Sequence, residues 1–343
     1  MEEARLWEPL SEQQVQCHLC AHHCTIAPDG RGICQVRENR DGTLYTLVYG
    51  EVLARHIDPI EKKPLFHFHP GSRSYSIATA GCNFRCEWCQ NYDISQMPRD
   101  QNQILGEQVA PEAIVEAAEA RACRSIAYTY TEPTIFFEYT YDIARLAADA
   151  GIGSVYVTNG YMTHMAIEAL HPYLDAANVD LKAFRDATYR QHVGARLQPV
   201  LDSLKLMKQL DIWVEVTTLL IPGINDDDEE LRDAAAFIAE ELGPETPWHL
   251  SRFFPAYKLR SVSPTPESTV RRAVEIGQAA GLHYVYAGNS QQNASTTCHA
   301  CGEMLIKRIG FEIRKAQVNA DGACPACNTP VAGVGMAVAA DKA

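Results

Sequence analysis

SYSIATAGCNFRCEWCQN, residues 74–91, is a short strand-like run followed at once by three cysteines. Apolar and small polar residues alternate through Ser74–Ala78 and then stop at Gly81, where a loop begins. The loop spaces its thiols as Cys82-x3-Cys86-x2-Cys89. Thiolates are soft ligands suited to iron–sulfur clusters or zinc. Three cysteines, not four, are the informative feature. A cubane held by three thiolates leaves one iron open to chelate the amino and carboxylate groups of a ligand. The alternative is a zinc knuckle completed by a distant residue.

Beyond this loop the chain keeps alternating strand-like and helix-like segments. Strand candidates are SIAYTYTEP (125–133), SVYVTNG (154–160), NVDLKAF (178–184), WVEVTTLLIPG (213–223), WHLSRFFPAY (248–257) and HYVYAGN (283–289). The helix from Asp228 is the clearest, with Leu231, Ala234, Ala235, Ile238 and Leu242 on one face. Such alternation predicts an α/β fold with a parallel sheet and crossover helices. Polar residues gather at the strand C-terminal ends: Glu132, Thr158-Asn159-Gly160 and Pro222-Gly223-Ile224-Asn225. An α/β barrel builds its site at that end. Six to seven units predict a partial, open barrel; a doubly wound open sheet is the alternative. The predicted organisation is a cysteine-rich region at 1–70 with a hairpin around Asp41-Gly42, the barrel at 71–290, a cysteine-bearing module at 291–330 after the linker QQNAST, and a frayed tail at 331–343.

The outer cysteines form two further groups. Cys298-x2-Cys301 and Cys324-x2-Cys327 are two knuckles of a zinc-ribbon kind, which needs its metal to fold and stands apart from the barrel pattern. Zinc is the expected ion, with a single iron or an auxiliary cluster as alternatives. Cys17, Cys20, Cys24 and Cys34 lie close in sequence and suggest zinc or an auxiliary 4Fe–4S cluster, with His18, His22 and His23 among them. Cys123 stands alone and reads as a small buried hydrophobe.

Composition limits the function. The chain has 343 residues, is 46% hydrophobic and carries a formal net charge of −13, which disfavours general nucleic-acid binding. No apolar run is long enough to span a membrane, and MEEARLWEPL lacks the basic start of a signal peptide. Grouped cysteines in a chain expected to be cytoplasmic predict metal sites, not disulfides.

The motif GCNFRCEWCQN, with YTYTEPT, VTNGY, VDLKAF and LLIPGIND at matching intervals, resembles the radical S-adenosylmethionine (SAM) superfamily. It is similar to enzymes of the pyruvate formate-lyase activating type, and CHLCAHHC…GRGICQVR makes it most similar to the AmmeMemoRadiSam system radical SAM enzymes. The resemblance implies a 4Fe–4S cluster on Cys82, Cys86 and Cys89, with SAM as cosubstrate. It places Trp88 beside the adenine, Glu132 on the SAM amino group, and Thr158 and Asn159 on the methionyl or ribose part. Lys182 would meet the SAM carboxylate and Asp180 would lie near SAM or substrate. The strand period independently puts Asp180 and Lys182 on one face, opposite Val179, Leu181 and Ala183. Thr217 shares a face with Glu215, and Ile221-Pro222-Gly223 would approach the adenine. Plainer readings stand beside these: core packing for Trp88, a surface carboxylate for Glu132, a mutual ion pair for Asp180 and Lys182, a simple turn for Gly223.

The activity so implied is one-electron cleavage of SAM to a 5′-deoxyadenosyl radical that abstracts hydrogen from a substrate. A ferredoxin or flavodoxin would supply the electron. A glycine of a partner protein is one substrate; a small molecule or peptide modified with partner proteins is another. A non-catalytic iron–sulfur or zinc carrier or scaffold is the rival class, to which Glu132, Asp180 and Lys182 would be of no use.

Overall fold

The computed structural model describes residues 1–290 and 294–337. Its centre is one eight-stranded sheet. The edge strand β1 (Ala54–Pro59) runs antiparallel to β2 (Arg73–Ala78). From β2 onward every pairing is parallel: β3 (Ser125–Tyr128), β4 (Gly153–Thr158), β5 (Ala176–Asp180), β6 (Trp213–Leu220), β7 (Trp248–Arg252) and β8 (Val285–Gly288). The crossovers carry helices α1 (Pro111–Glu119), α2 (Phe137–Asp149), α3 (His164–Leu170), α4 (Gln198–Gln209), α5 (Asp228–Phe237) and α6 (Glu267–Ala279).

The strand order decides between the two predicted folds. A doubly wound sheet reverses its order at a switch point. Here the strands follow one another in chain order from β1 to β8, and β8 does not pair with β1. The fold is therefore a partial, open β/α barrel with seven parallel strands.

Helix α5 shows how the sequence builds the outer layer. Asp227 caps it, its Oδ1 accepting from the Glu229 and Glu230 amides at 2.9 and 3.3 Å. Leu231, Ala234 and Ala235 are buried, and a wider turn at Ile238–Leu242 carries the same apolar stripe onward. The N-terminal hairpin also forms as read, Arg37–Arg40 pairing with Thr43–Thr46 around Asp41 and Gly42 at φ +52° and +84°. Two successive positive φ values are what a two-residue hairpin turn requires.

The C-terminal region differs from expectation. Its strands Thr296–Thr297, Met304–Ile309 and Glu312–Ala316 form a small sheet that packs on the barrel instead of standing apart. Leu305, Ile306, Val331 and Met336 share an apolar cluster with Phe66, Tyr284 and Tyr286. Arg308 is fully buried; it pairs with Glu61 at 3.6 Å, donates to the Phe66 carbonyl at 2.8 Å and lies 4.3 Å over the Phe66 ring. The expected frayed tail is docked over residues 331–337: the Val334 amide donates to the His67 carbonyl, and the Val334 carbonyl accepts from the His69 amide, both at 2.8 Å. Within the QQNAST linker, residues 291–293 lie outside the described residues, as do tail residues 338–343.

This region faces the N-terminal halves of the strands. There Glu215, fully buried on β6, accepts from the Phe66 and His67 amides, Trp213 Nε1 and His249 Nε2 at 2.6–3.1 Å. That end of the barrel is closed by a buried polar network centred on Glu215. The cysteine loop lies at the opposite end, beyond the C-terminus of β2.

Candidate active site

Strand β2 ends at Ala78, and the chain turns through Gly81 at φ +108°. A side chain there would place Cβ 2.9 Å from Val36 Cγ1, so glycine lets the cysteine loop pass close under the N-terminal region. The loop is fixed from several directions. The Arg85 amide donates to the Val193 carbonyl at 2.8 Å and the Lys258 amide to the Glu87 carbonyl at 2.9 Å. The Phe84 carbonyl accepts from Gln96 Nε2 at 3.2 Å and Arg99 Nη1 at 3.4 Å.

The three sulfurs sit among donors. The Phe84 amide lies 3.3 Å from Cys82 Sγ, Asn159 Nδ2 3.8 Å from the same atom, and Ser95 Oγ 3.2 Å from Cys89 Sγ. Burial pushes all three thiols up, Cys86 to about 12. Buried thiols of this kind are held as thiolates when a metal coordinates them. The only ligand group in which three or more Cys, His or carboxylate atoms lie within 4.8 Å of one another, among the described residues, is the C-terminal one. The Cys82, Cys86 and Cys89 sulfurs are therefore spread more widely than a single-ion site, as thiolates on separate irons are. The donor set fits a 4Fe–4S cluster.

Around this loop the structure gathers most of the predicted residues at the strand C-terminal ends. Lys182 Nζ lies 2.7 Å from Asp180 Oδ2, with side chains 18% and 31% exposed. Burial opposes the Lys182 charge, but Asp180 and the thiols of Cys86 and Cys89 outweigh it and raise its pKa. Strand β5 ends at Asp180, so Lys182 is carried by the following loop. Two residues that the sequence reading missed pin that loop. Tyr189 Oη accepts from the Lys182 amide at 3.1 Å, and Asn225 Nδ2 donates to the Lys182 and Leu219 carbonyls, both at 2.8 Å. Asn225 lay within the quoted LLIPGIND motif; its position two residues after a turn glycine was the available signal.

Glu132 is held by donors of the barrel itself. It is buried, and its carboxylate accepts from the Thr134 amide and hydroxyl, the Thr158 hydroxyl and the Asn159 amide at 2.5–3.0 Å. Three of these donors fall on Oε1 and one on Oε2, which keeps acceptor capacity. Glu132 thus ties the ends of β3 and β4 together, although burial raises its pKa. Asn159 Nδ2 donates to Asn83 Oδ1 at 2.8 Å and so locks the β4 end onto the cysteine loop. Thr217 Oγ1 donates to Asn178 Oδ1 at 2.9 Å, inside the sheet. Trp88 is buried, with its ring 6.2 Å from that of His192. Gly223 takes φ +74° in a turn whose amide donates to Asp226 Oδ1 at 2.8 Å, with open space at its Cβ position.

The outer cysteines are also brought together within each group. Cys298, Cys301, Cys324 and Cys327 converge, with Sγ–Sγ separations of 3.6 Å for Cys298–Cys327 and 3.7 Å for Cys301–Cys324. Tetrahedral coordination at about 2.3 Å per bond gives an edge of about 3.8 Å. The four thiols are spaced as a single-ion site requires. Cys17, Cys20, Cys24 and Cys34 line one small cavity beside Ile26 and Ile135. Cys123 is buried, as read.

Comparison with known proteins agrees with this geometry. Residues 76–235 match the model of the radical SAM superfamily. The uncharacterised Methanocaldococcus jannaschii protein MJ0808 is 46% identical over 316 residues, covering 92% of this chain and 93% of its own length. The pyruvate formate-lyase-activating enzyme of Clostridium pasteurianum is 24% identical over 49% of this chain and 70% of its own. Among solved structures, a radical SAM methyltransferase from Sphaerobacter thermophilus shares the fold at a TM-score of 0.52 and 19% identity, over 69% of this chain and 71% of its own.

The chain belongs to the radical SAM superfamily. Within it, the 46% identity to MJ0808 extends over 92% of the chain, whereas the likeness to the activating enzyme covers half. Membership implies a 4Fe–4S cluster and SAM. No helix among the described residues is long and apolar enough to cross a membrane.

Proposed function

We propose that the chain cleaves SAM at a 4Fe–4S cluster on Cys82, Cys86 and Cys89 and turns the radical on a C–H bond of a protein or peptide partner. A backbone glycine is the target by analogy with the activating enzymes it resembles. The observation that carries the reading is three widely set thiols at the strand C-terminal ends, Cys86 buried and Cys82 and Cys89 half-buried, next to the Lys182–Asp180 pair. When bound there, the cluster supplies the electron that breaks a SAM carbon–sulfur bond and frees a 5′-deoxyadenosyl radical.

The chain's own residues bind and orient. Lys182 meets the SAM carboxylate, with Asp180 beside the amino group or substrate. Asn159 and Thr158 hold the methionyl or ribose side, and Trp88 lies towards the adenine. Glu132 is a positioning residue that acts through Thr158 and Asn159. The Lys258 segment, fastened over Glu87, helps keep water from the cysteine loop. A ferredoxin or flavodoxin donates the electron. The C-terminal single-ion site holds a structural zinc.

The test is anaerobic reconstitution followed by incubation with SAM and dithionite. The wild type is expected to release 5′-deoxyadenosine, and the variant Cys82→Ala/Cys86→Ala/Cys89→Ala none while keeping its zinc. Release by the triple variant would overturn the assignment. Deuterium carried from a labelled glycine of a partner protein into 5′-deoxyadenosine would identify the substrate class; transfer from a small molecule alone would replace it.

A further inference from the structure

The N-terminal cysteines offer a contrast within one chain. Cys17, Cys20, Cys24 and Cys34 come from different turns of the first 40 residues yet line one cavity. No three ligand atoms in that group lie within 4.8 Å of one another, since the C-terminal group alone meets that criterion among the described residues. A single tetrahedral ion needs four thiolates about 3.8 Å apart, close to the 3.6 and 3.7 Å found in the C-terminal module. The N-terminal sulfurs share the wider setting of Cys82, Cys86 and Cys89.

Leu19, Ile26, Ile33 and Ile135 line the cavity beside the four thiols. A Cβ on Gly32 would stand 3.8 Å from both Cys24 Sγ and Cys34 Sγ. Donors face the sulfurs: the Ile33 amide lies 3.5 Å from Cys24 Sγ and Arg37 Nη1 3.3 Å from Cys17 Sγ. Arg37 is buried and lines the cavity, and its Nε has no partner. The nearby histidines are turned to other uses. His22 Nε2 lies 2.9 Å from the Asn83 carbonyl and His18 Nε2 3.4 Å from Glu8.

We propose that Cys17, Cys20, Cys24 and Cys34 hold a second 4Fe–4S cluster, closed by four protein thiolates and distinct from the single-ion site of the C-terminal module. It goes beyond the SAM chemistry and does not rest on it. The new site abuts the cysteine loop of the active site. Arg99 donates through Nη2 to the Ile33 carbonyl at 2.8 Å and through Nη1 to the Phe84 carbonyl at 3.4 Å, one guanidinium serving both loops.

The test counts iron, acid-labile sulfide and zinc in the anaerobically purified full chain and in Cys82→Ala/Cys86→Ala/Cys89→Ala. About eight iron and eight sulfide are expected in the wild type, and about four of each in the triple variant. The residual signal of the reduced triple variant is expected to ignore SAM, and adding Cys17→Ser and Cys34→Ser is expected to remove it. An iron-free triple variant, or residual metal without sulfide such as a second zinc, overturns the proposal. Mössbauer spectra of the wild type decide the matter without any variant. Two 4Fe–4S populations, of which SAM perturbs one, support the second cluster; one population alone refutes it.

Discussion

Replacing Lys182 by Met separates a ligand-binding charge from a structural one. The lysine ammonium stands 2.7 Å from Asp180, and both side chains keep contact with solvent, at 18% and 31% exposure. If Lys182 binds the SAM carboxylate, its loss removes a charge-assisted hydrogen bond worth about 1.5–3 kcal/mol. That is about a 10- to 150-fold rise in the Kd for SAM. The stability cost is expected to be small, about 1 kcal/mol or less, because partly exposed Asp180 can regain water. The backbone at Lys182 stays pinned by Tyr189 and Asn225, so Lys182→Met does not unfasten the loop. Calorimetric titration of SAM into reconstituted protein, with thermal melts, is run on Lys182→Met, Asp180→Asn and the double variant. A purely structural pair gives another pattern: both single variants lose stability, the double variant recovers it, and SAM affinity is unchanged. That pattern would refute the assignment.

Three further outcomes follow from the closed end of the barrel and the loop around Lys182. Arg308→Met leaves Glu61 buried without its cation and is expected to cost about 3–5 kcal/mol in urea unfolding, most of it restored by adding Glu61→Gln; equal loss in the single and double variants would contradict the pairing. His67, facing Glu215, His249, Tyr286 and Arg308, is held neutral by burial, its pKa lowered from 6.5 to about 4. The stability carried by neutral His67 is complete above pH 6.5 and lost as pH falls towards 4, up to about 3 kcal/mol, with the lowered pKa of Glu215 acting in the same direction; His67→Gln should flatten a plot of stability against pH, and an unchanged slope would count against it. Asn225→Ala removes the acceptor for the Ile221 amide and the donor to two carbonyls, so a loss of about 1–3 kcal/mol is expected, together with several-fold weaker SAM binding; weaker stability with intact SAM affinity would show that Asn225 does not position Lys182.

The sequence was legible where a single period or spacing carried the information. Alternation located the seven parallel strands, and helical spacing located the buried stripe of α5. It was not legible where the fold rests on isolated residues meeting from afar. Strand β1 reads ARHIDP, with charges breaking its pattern, and it forms because it pairs along the whole of β2. The docking of the C-terminal module depends on Arg308, Glu61 and His67, none of which belongs to a motif. The tail looked weak because it is rich in glycine. Those glycines allow close approach: a Cβ at Gly333 would come within 2.6 Å of the His67 carbonyl, and one at Gly335 within 2.1 Å of His69 Nδ1. Glu132 was legible as a conspicuous acid at a strand end, but its four internal donors lie on Thr134, Thr158 and Asn159, whose convergence only the folded barrel reveals.

Glu215 at the closed end and Lys182 beside the cysteine loop differ in the hydrogen-bonding capacity they leave over. At the closed end Glu215 receives four donors from Phe66, His67, Trp213 and His249, two on each oxygen, and is filled. Lys182 is not: an ammonium has three protons to donate, and among the described residues Asp180 is its one acceptor. Holding a charged, partly buried lysine with open donors is costly unless a ligand uses them. An anionic group bound beside the cysteine loop would take up those donors, and the carboxylate of SAM is an anion of that kind. The same reasoning explains why Asp180 stays on the solvent side of the pair, where it can keep Lys182 protonated without occupying all of it.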